Sequence, residues 1–311
     1  NMNTFKKIGL TALAGSLVVT SAYAGSMSVS GGASIGLKNT TKTSTGKSWT
    51  MGNQLTFSGS GELDNGMNVS LSFVLDQGDD TAASAGPFDS HSVTVSSDAL
   101  GSLVFSGEGG SSASSAVDTT AAGDLWNNGS GFTAPRSAEA GDNSLMYTLP
   151  SLMDDLTLKA SYSPGSAGGG SATAWSASYS GVEGLSVDFA EGQIETVGSE
   201  ADVTTIKGSY AISSFTLSAS STEYDAASSD ETVDSYNIAY TVSDDLSIAY
   251  GTETIETQGS TVDEEADKFN VSYTTGGVTL SATQYNFEGS GNTAGVAGEK
   301  ERWALSATFA F

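Results

Sequence analysis

The chain has 311 residues and a formal net charge of −25, with 36 acidic residues against 11 lysines and arginines. This acidic excess excludes nucleic acid as a partner, because binding to phosphates requires clustered Lys and Arg. Cysteine is absent, so a core or a closed hydrogen-bond network must hold the fold together instead of disulfides.

Residues 1–24 have the layout of a secretory signal peptide. Two lysines near the start are followed by an apolar stretch, residues 8–19, and then by small residues that end at Ala24. The apolar stretch is too short to span a bilayer. We therefore expect cleavage after Ala24, which makes residues 25–311 the mature domain; a retained anchor helix is the alternative.

The mature domain is predicted to be all-β. Apolar residues alternate with Ser, Thr and Asn in segment after segment, for example in residues 67–73, 215–219 and 236–240. Period-two alternation is typical of amphipathic strands. No stretch of helical period and no continuous apolar run after residue 25 reaches membrane-spanning length, so any membrane crossing must be made by strands.

Seven short turn signals divide these strands into hairpins. Their starts are 30 to 34 residues apart except for one interval of 53. Seven turns and two free ends give eight hairpins, hence sixteen strands, with short turns on one side and long polar loops on the other; this is the layout of a transmembrane antiparallel β-barrel. The turns are predicted at residues 64–66, 98–101, 151–155, 181–184, 213–214, 243–245 and 275–277.

A soluble β-sandwich or β-helix is the alternative for a chain of repeated strands. Such a fold would bury its apolar faces against a second sheet and vary its connections at both ends. Aromatic residues at many strand ends, among them Tyr210, Tyr240 and Tyr273, favour the barrel, in which they form girdles at the two membrane interfaces.

Three segments resemble the general porins of Gram-negative bacteria. They are the last strand "RWALSATFAF", the first strand "GSMSVSGGASIGL" and the hairpin "SWTMGNQLTFSGSGELDNGMNVSLSFVL". The resemblance implies a sixteen-stranded homotrimer in the outer membrane, in contact with its lipid and lipopolysaccharide, with both termini periplasmic. It also implies that the last strand, with Trp303, Phe309 and Phe311, is the signal read by the barrel-assembly machinery.

The long interval contains the third long loop, residues 107–142. In the porins that the chain resembles, this loop folds into the lumen and narrows the pore; a disordered external loop is the alternative. Leu125, Trp126 and Phe132 could anchor it, and loops of this length are commonly functional. The predicted constriction residues are Glu108, Asp118, Asp124, Arg136, Glu139 and Asp142.

Successive side chains of a strand point to opposite faces, so residues one position away from a lipid-facing apolar residue face the lumen. This strand parity places four basic side chains in the lumen: Lys159, Lys207, Lys268 and Arg302. A charge on the lipid face at mid-bilayer costs about 2–4 kcal/mol, so their inward placement is required whatever the function. The resemblance implies, in addition, a basic wall that faces the acidic loop and creates a transverse field. Only two arginines, Arg136 and Arg302, are available for it, fewer than the family often has.

The expected function is a diffusion channel for small hydrophilic solutes and ions with a cation preference. A non-conducting adhesin or structural barrel and a barrel hydrolase are the alternatives. A hydrolase would need a histidine, and the single one, His91, has Ser90 and Ser92 only as strand neighbours, which point to the opposite face. We therefore predict no enzymatic activity and no catalytic residue.

No cofactor is expected, apart from weak binding of calcium or magnesium by acidic groups in external loops. Carboxylate oxygens suit these cations, but the chain has no twelve-residue calcium-loop spacing. The acidic groups predicted to lie in the loops are Asp79, Asp80, Asp230, Glu231, Asp234, Asp263, Glu264, Glu265 and Asp267.

Overall fold

The chain forms a closed antiparallel β-barrel of sixteen strands, as predicted, in which each strand pairs with its neighbours in sequence and β1 pairs with β16. The computed structural model describes residues 25–41, 46–76, 89–117, 120–128, 131–136, 138, 142–165, 170–196, 198–227 and 229–311. The predicted signal peptide, residues 1–24, lies outside the described residues. No helix in the described ranges has the length and hydropathy to cross a bilayer.

The strands are 5 to 17 residues long. Two short 3-10 helices, Leu125–Asn128 and Gly295–Ala297, lie in loops. The strands are β1 Ser26–Thr41, β2 Gly46–Glu62, β3 Asn68–Asp76, β4 Ser90–Ser97, β5 Gly101–Glu108, β6 Ser144–Thr148, β7 Leu156–Ser163, β8 Ser171–Val182, β9 Leu185–Thr196, β10 Ser199–Ile212, β11 Phe215–Ala226, β12 Glu231–Ser243, β13 Leu246–Thr257, β14 Glu264–Thr275, β15 Val278–Glu288 and β16 Lys300–Ala310.

All seven predicted turns connect the strands at one rim of the barrel. The tightest are built on residues with positive φ, such as Gly184 (76°) between β8 and β9 and Ser213 (55°) between β10 and β11. Glycine adopts this conformation without steric penalty. Because the strands alternate in direction and are even in number, the start of β1 and the end of β16 lie at the same rim as these turns.

The barrel closes through the backbone of its two ends. Gly31 N–H donates to the carbonyl oxygen of Phe311 at 2.8 Å, and Phe311 N–H donates to Gly31 O at 3.0 Å. The side chains of Trp303 and Phe309 have the outward parity of β16, whereas that of Phe311 is 74% exposed beyond the strand. Closure therefore depends on main-chain pairing, which leaves no free sheet edge.

Parity divides the strand side chains into an outer apolar surface and a polar lumen. Ile206, Leu217 and Phe269 are large apolar side chains that lie about half exposed on the outside, as a lipid-facing wall requires. The buried residues form no core between sheets. Most of those described are inward-facing residues of β8 to β15 and residues of the long loop between β5 and β6 that lies over them.

Candidate functional site in the barrel lumen

The long loop between β5 and β6, residues 109–143, is hereafter the constriction loop, and its described residues lie inside the barrel. Its backbone N–H groups at Ala113, Ala121 and Ala122 donate to the hydroxyls of Ser161 on β7, Ser220 on β11 and Ser235 on β12, at 2.8, 2.9 and 2.8 Å. All three serines have the inward parity of their strands. Hydrogen bonds from a loop backbone to inward-facing hydroxyls hold the loop against the lumen wall.

Apolar side chains anchor the middle of the constriction loop. Leu125 is fully buried and Phe132 nearly so, and both pack in a cluster with Val233, Ile255 and Phe287 from β12, β13 and β15. The rings of Phe132 and Phe287 are 5.5 Å apart. Burying each large side chain contributes about 1.5–3 kcal/mol, so the predicted anchors do fix the loop to this wall.

The loop also approaches β13 closely at Gly251, where the wall has no room for a side chain. A Cβ atom added at Gly251 would lie 2.7 Å from the Cβ of Ala122. Any larger residue at position 251 would push the loop away from the wall.

Glu264, the first residue of β14, joins two loops beneath the barrel mouth. Its fully buried carboxylate accepts hydrogen bonds from Thr133 N–H at 2.6 Å and Thr133 Oγ1 at 3.1 Å, and from Gly291 N–H at 2.8 Å. Thr133 belongs to the constriction loop and Gly291 to the loop between β15 and β16. Three donors on one carboxylate form a strong, charge-assisted junction.

Two of the four predicted wall cations bind the constriction loop and do not face it across the lumen. Lys268 donates to the carbonyl oxygen of Ala122, and Arg302 Nη1 donates to that of Asn128 at 2.8 Å. Parity correctly predicted that both side chains point inward. The expected basic wall opposite an acidic loop is wrong for these two residues, because their charges are directed to loop carbonyls on the same side of the lumen.

Arg136, the single basic residue predicted in the loop, is held by the wall of β11 and β12. Its Nε lies 3.7 Å from Oε2 of Glu231, whose side chain is only 2% exposed. The guanidinium also lies 4.5 Å from the ring centroid of Tyr224 and donates to Ser229 Oγ at 3.3 Å. The ion pair is therefore a partly buried loop anchor.

The other predicted wall cations, Lys159 on β7 and Lys207 on β10, have inward parity. Lys207 stands directly opposite Asp188 in the β9–β10 register, and Lys159 stands opposite Ser176 of β8. Sequence reasoning missed Asp188, and it missed Lys38 on β1, although the outward parity of Ile35 and Leu37 would have placed Lys38 in the lumen.

The predicted loop acids are dispersed. Asp124 is exposed; its N–H donates to the hydroxyl of Thr120 at 2.9 Å, and its Oδ1 accepts from that hydroxyl at 3.2 Å. Asp142 is exposed two residues before β6. The structure describes neither Asp118 nor Glu139, so those two predictions lie outside the described residues.

Glu108 does not belong to the constriction loop, contrary to the prediction. It is the last residue of β5 and lies 3.8 Å from Nδ1 of His91, at a register shift in the β4–β5 pairing. His91 stands opposite outward-facing Phe73, so this pair lies on the outer side of the barrel. Ser90 and Ser92 have the opposite parity to His91.

Of the acidic residues predicted in external loops, Asp230 and Asp263 do lie in loops, but others are placed differently. Glu231 and Glu264 begin strands and are buried under the constriction loop, whereas Asp234, Glu265 and Asp267 lie on the outer face of strands. Tyr250 donates from its hydroxyl to Asp267 at 2.7 Å. Asp79 and Asp80 are outside the described residues. Across the described chain, no three His, Asp or Glu residues are grouped so that they could hold a metal ion.

Burial shows which part of the wall the constriction loop covers. Every strand from β8 to β15 has buried inward-facing residues, among them Ala190, Val203, Thr222 and Glu253. Strands β1 to β5 have none among their described residues. We call β8–β15 the covered wall and β1–β5 the open wall; the passage through the barrel runs between the loop and the open wall.

Comparisons with known proteins agree with this architecture. The structure resembles a triple mutant of the Rh. blastica porin (TM-score 0.69, 14% identity, 92% of this chain and 100% of that chain). It also resembles the anion-selective porin from Comamonas acidovorans (0.65, 14%, 92% and 100%) and the trimer form of OmpT, an outer membrane protein of Vibrio cholerae (0.63, 15%, 93% and 100%).

No curated protein sequence matches the chain. At these low identities the structural matches establish the fold alone. The family model of the Gram-negative porins, however, matches residues 9–252, which is well over half of the sequence. The chain therefore belongs to the Gram-negative porin family.

Proposed function

We propose that the chain is a passive diffusion channel for small hydrophilic solutes and ions, with a mild cation preference and with its short turns and both ends in the periplasm. Family membership supports an outer-membrane channel in place of an enzyme. The observation that carries the proposal is a loop docked on one side of the lumen of a sixteen-stranded barrel. Barrels of this size enclose an aqueous passage.

Planar-bilayer recording of the refolded protein tests this proposal. We expect stable, voltage-independent conductance steps in potassium chloride. A correctly folded barrel that gives no conductance would favour the alternative of an adhesin or structural protein.

The cation preference is assigned to Asp124 and is expected to be modest. Asp124 is an exposed loop carboxylate, whereas Lys268, Arg302 and Arg136 are occupied with the loop backbone or with Glu231. In a narrow, low-dielectric passage one exposed carboxylate raises the local cation concentration.

Asp124→Asn should reduce the cation preference without abolishing conductance, because it removes the charge and keeps the size of the side chain. Reversal potentials in a potassium chloride gradient measure the effect, and higher salt should weaken the preference of the unmodified pore. Asp118 is a predicted constriction residue of the same loop, so Asp118→Asn should reduce the cation preference further. Asp267→Asn on the outer face is the matched control and should change nothing. Anion preference in the unmodified pore would contradict the assignment.

The homotrimer proposal is supported by an asymmetry of the outer surface. Eight of the described tyrosines face outward, and all of them lie on β6 to β14; β15, β16 and β1 to β5 carry none on that side. Tyrosine belts mark membrane interfaces. The tyrosine-free face keeps the exposed aromatics Trp49 and Phe105 and also has exposed aliphatic residues such as Val29, Met51 and Leu71; this apolar surface suits contact with a second copy of the chain.

Leu71→Trp should therefore disrupt the trimer, since overpacking a protein interface costs about 1–3 kcal/mol. Tryptophan is compatible with a lipid-facing surface, so the barrel itself should fold. Native mass in detergent measures the outcome: three chains for the unmodified protein and fewer for the variant. Leu217→Trp on the tyrosine-bearing face is the control. A single-chain mass for the unmodified protein would contradict the trimer.

Contact with lipopolysaccharide is proposed for the outward-facing acids near the long-loop rim. Glu223 on β11, Asp234 on β12, and Glu265 and Asp267 on β14 are examples. Calcium or magnesium could bridge such carboxylates to anionic headgroups weakly. Weak binding of calcium or magnesium within the external loops, where Asp230 and Asp263 lie, stays a prediction beside it.

A further inference from the structure

A groove of about 480 Å³ lies on the outer surface of the barrel, across β10 to β13, and is hereafter the outer groove. Its floor contains Gly208 and Ala219, which stand directly opposite each other in the β10–β11 register and have outward parity. Neither residue has a side chain beyond Cβ, so the surface is concave here. The rim is formed by larger outward-facing side chains: Tyr210, Leu217, Tyr236, Ile238 and Tyr250.

The walls of the outer groove are aromatic, and its space is open. The hydroxyl of Tyr250 donates to Asp267 at 2.7 Å, which fixes one wall. An aromatic ring has only two side-chain torsions, so it offers a large contact area at a low cost in conformational entropy. A Cβ atom added at Gly208 would have its nearest neighbour, Ser186 O, at 3.9 Å. The protein therefore does not fill the space above the floor with its own side chains.

The outer groove lies in the half of the apolar band that is nearer to the short turns. Gly208 is four residues before the end of β10, and Ala219 is four residues after the start of β11. Four strand residues span about 13 Å, and strand tilt shortens this height, whereas the whole apolar band of such a barrel is about 25 Å tall. A lipid whose headgroup lies at the short turns can therefore place an acyl chain in the groove.

The charges around the outer groove are acidic at both ends of its strands. Asp244 and Asp245 are exposed in the short turn between β12 and β13. Asp234 and Asp267 have outward parity on the long-loop side. The single basic residue of β10 to β13, Lys207, has inward parity. This surface therefore repels a lipid with a net negative headgroup and attracts an ammonium group.

We propose that the outer groove binds one acyl chain of a zwitterionic phospholipid with an ammonium headgroup, such as phosphatidylethanolamine, and that the headgroup lies at Asp244 and Asp245. Lipid chains are as apolar as the groove, so selectivity over bulk lipid comes from packing and not from the hydrophobic effect. The small floor residues let a chain approach the backbone closely, which increases the number of van der Waals contacts.

The outer groove lies on the tyrosine-bearing side of the barrel, away from the tyrosine-free face. A trimer formed through that face leaves the groove open to lipid. The inference goes beyond the channel function and does not depend on conduction.

Native mass spectrometry of the refolded protein in a non-ionic detergent tests the inference, after incubation with phosphatidylethanolamine or with phosphatidylglycerol of the same chain composition. The unmodified protein should prefer phosphatidylethanolamine by about two- to fivefold, since exposed charge pairs contribute little. Asp244→Asn combined with Asp245→Asn should remove this preference but keep the binding of the chain.

Ala219→Leu places a larger side chain in the outer groove, where it competes with the acyl chain. The affinity for phosphatidylethanolamine should fall by about five- to one hundredfold, the change that corresponds to an overpacked contact. Ala282→Leu is the matched control, because Ala282 is exposed, has outward parity on β15 and lies four residues from a short turn, as Ala219 does. The control should bind the lipid as the unmodified protein does.

Far-UV circular dichroism checks that each variant forms the barrel. Unchanged lipid affinity of Ala219→Leu, an equal loss in Ala282→Leu, or a preference of the unmodified protein for phosphatidylglycerol would overturn the inference. A barrel that binds the lipid in the expected pattern but gives no conductance would overturn the proposed function and leave this inference standing.

Discussion

Glu264→Ala should release the constriction loop and give a larger, noisier pore. The carboxylate of Glu264 is fully buried and accepts three hydrogen bonds, two from Thr133 and one from Gly291. Truncation leaves these neutral donors unpaired, and each buried donor without a partner costs about 1–3 kcal/mol. Single-channel recording should show higher mean conductance and more open-channel noise, and a protease added on the long-loop side should cut within residues 129–136.

The adjacent residue provides the control. Glu265 lies on the outer face of the same strand, so Glu265→Ala removes an equal charge from the same segment without touching the loop. Glu264→Gln should be intermediate, since its amide keeps one acceptor oxygen. A Glu264→Ala pore with the conductance and noise of the unmodified protein would show that the apolar anchors alone position the loop.

The strands and short turns could be predicted because their signals are local. Contact with lipid on one side and water on the other imposes period-two alternation on each strand, and the tight turns contain the residues that positive φ favours. The same parity assigns Lys159, Lys207, Lys268 and Arg302 to the lumen, where Lys268 and Arg302 contact the constriction loop. It needs no knowledge of which strands lie on opposite sides of the barrel.

The placement of the charged pairs could not be predicted, because it depends on which wall the constriction loop follows. Lys268 and Arg302 point inward in any case, but only the path of the loop decides whether they face it or bind it. That path follows from apolar contacts between residues far apart in sequence, such as Phe132 with Phe287. A single sequence contains no periodic signal for such contacts.

Runs of acidic residues misled the sequence reasoning for a different reason. Consecutive carboxylates are typical of solvated loops, and Glu264 and Glu265 were assigned to one accordingly. Extending the parity of Phe269 and Val271 back along β14 would have placed Glu264 in the lumen and Glu265 outside. Glu108 could not have been placed in this way, because a register shift separates it from the regular part of β5.

Phe311→Ser should reduce the amount of protein in the outer membrane severely and leave the stability of the finished barrel nearly unchanged. The backbone of Phe311 pairs with Gly31, and serine can make the same main-chain bonds. Its side chain is 74% exposed, well short of the full burial that would contribute about 1.5–3 kcal/mol. A large loss therefore points to recognition during assembly, which the porin resemblance assigns to this terminal aromatic strand.

Surface level in cells and unfolding of the refolded barrel in detergent separate the two effects. Phe311→Tyr should behave as the unmodified protein, since the resemblance assigns recognition to an aromatic side chain. Phe215→Ser, at an exposed aromatic of β11, removes a similar apolar area away from the terminus. It should lower the stability of the refolded barrel in detergent but have a smaller effect on the amount of protein at the cell surface. Normal surface levels of Phe311→Ser would refute a recognition role. If the refolded variant is destabilised in detergent as severely as its surface level falls in cells, the defect lies in closure of the barrel.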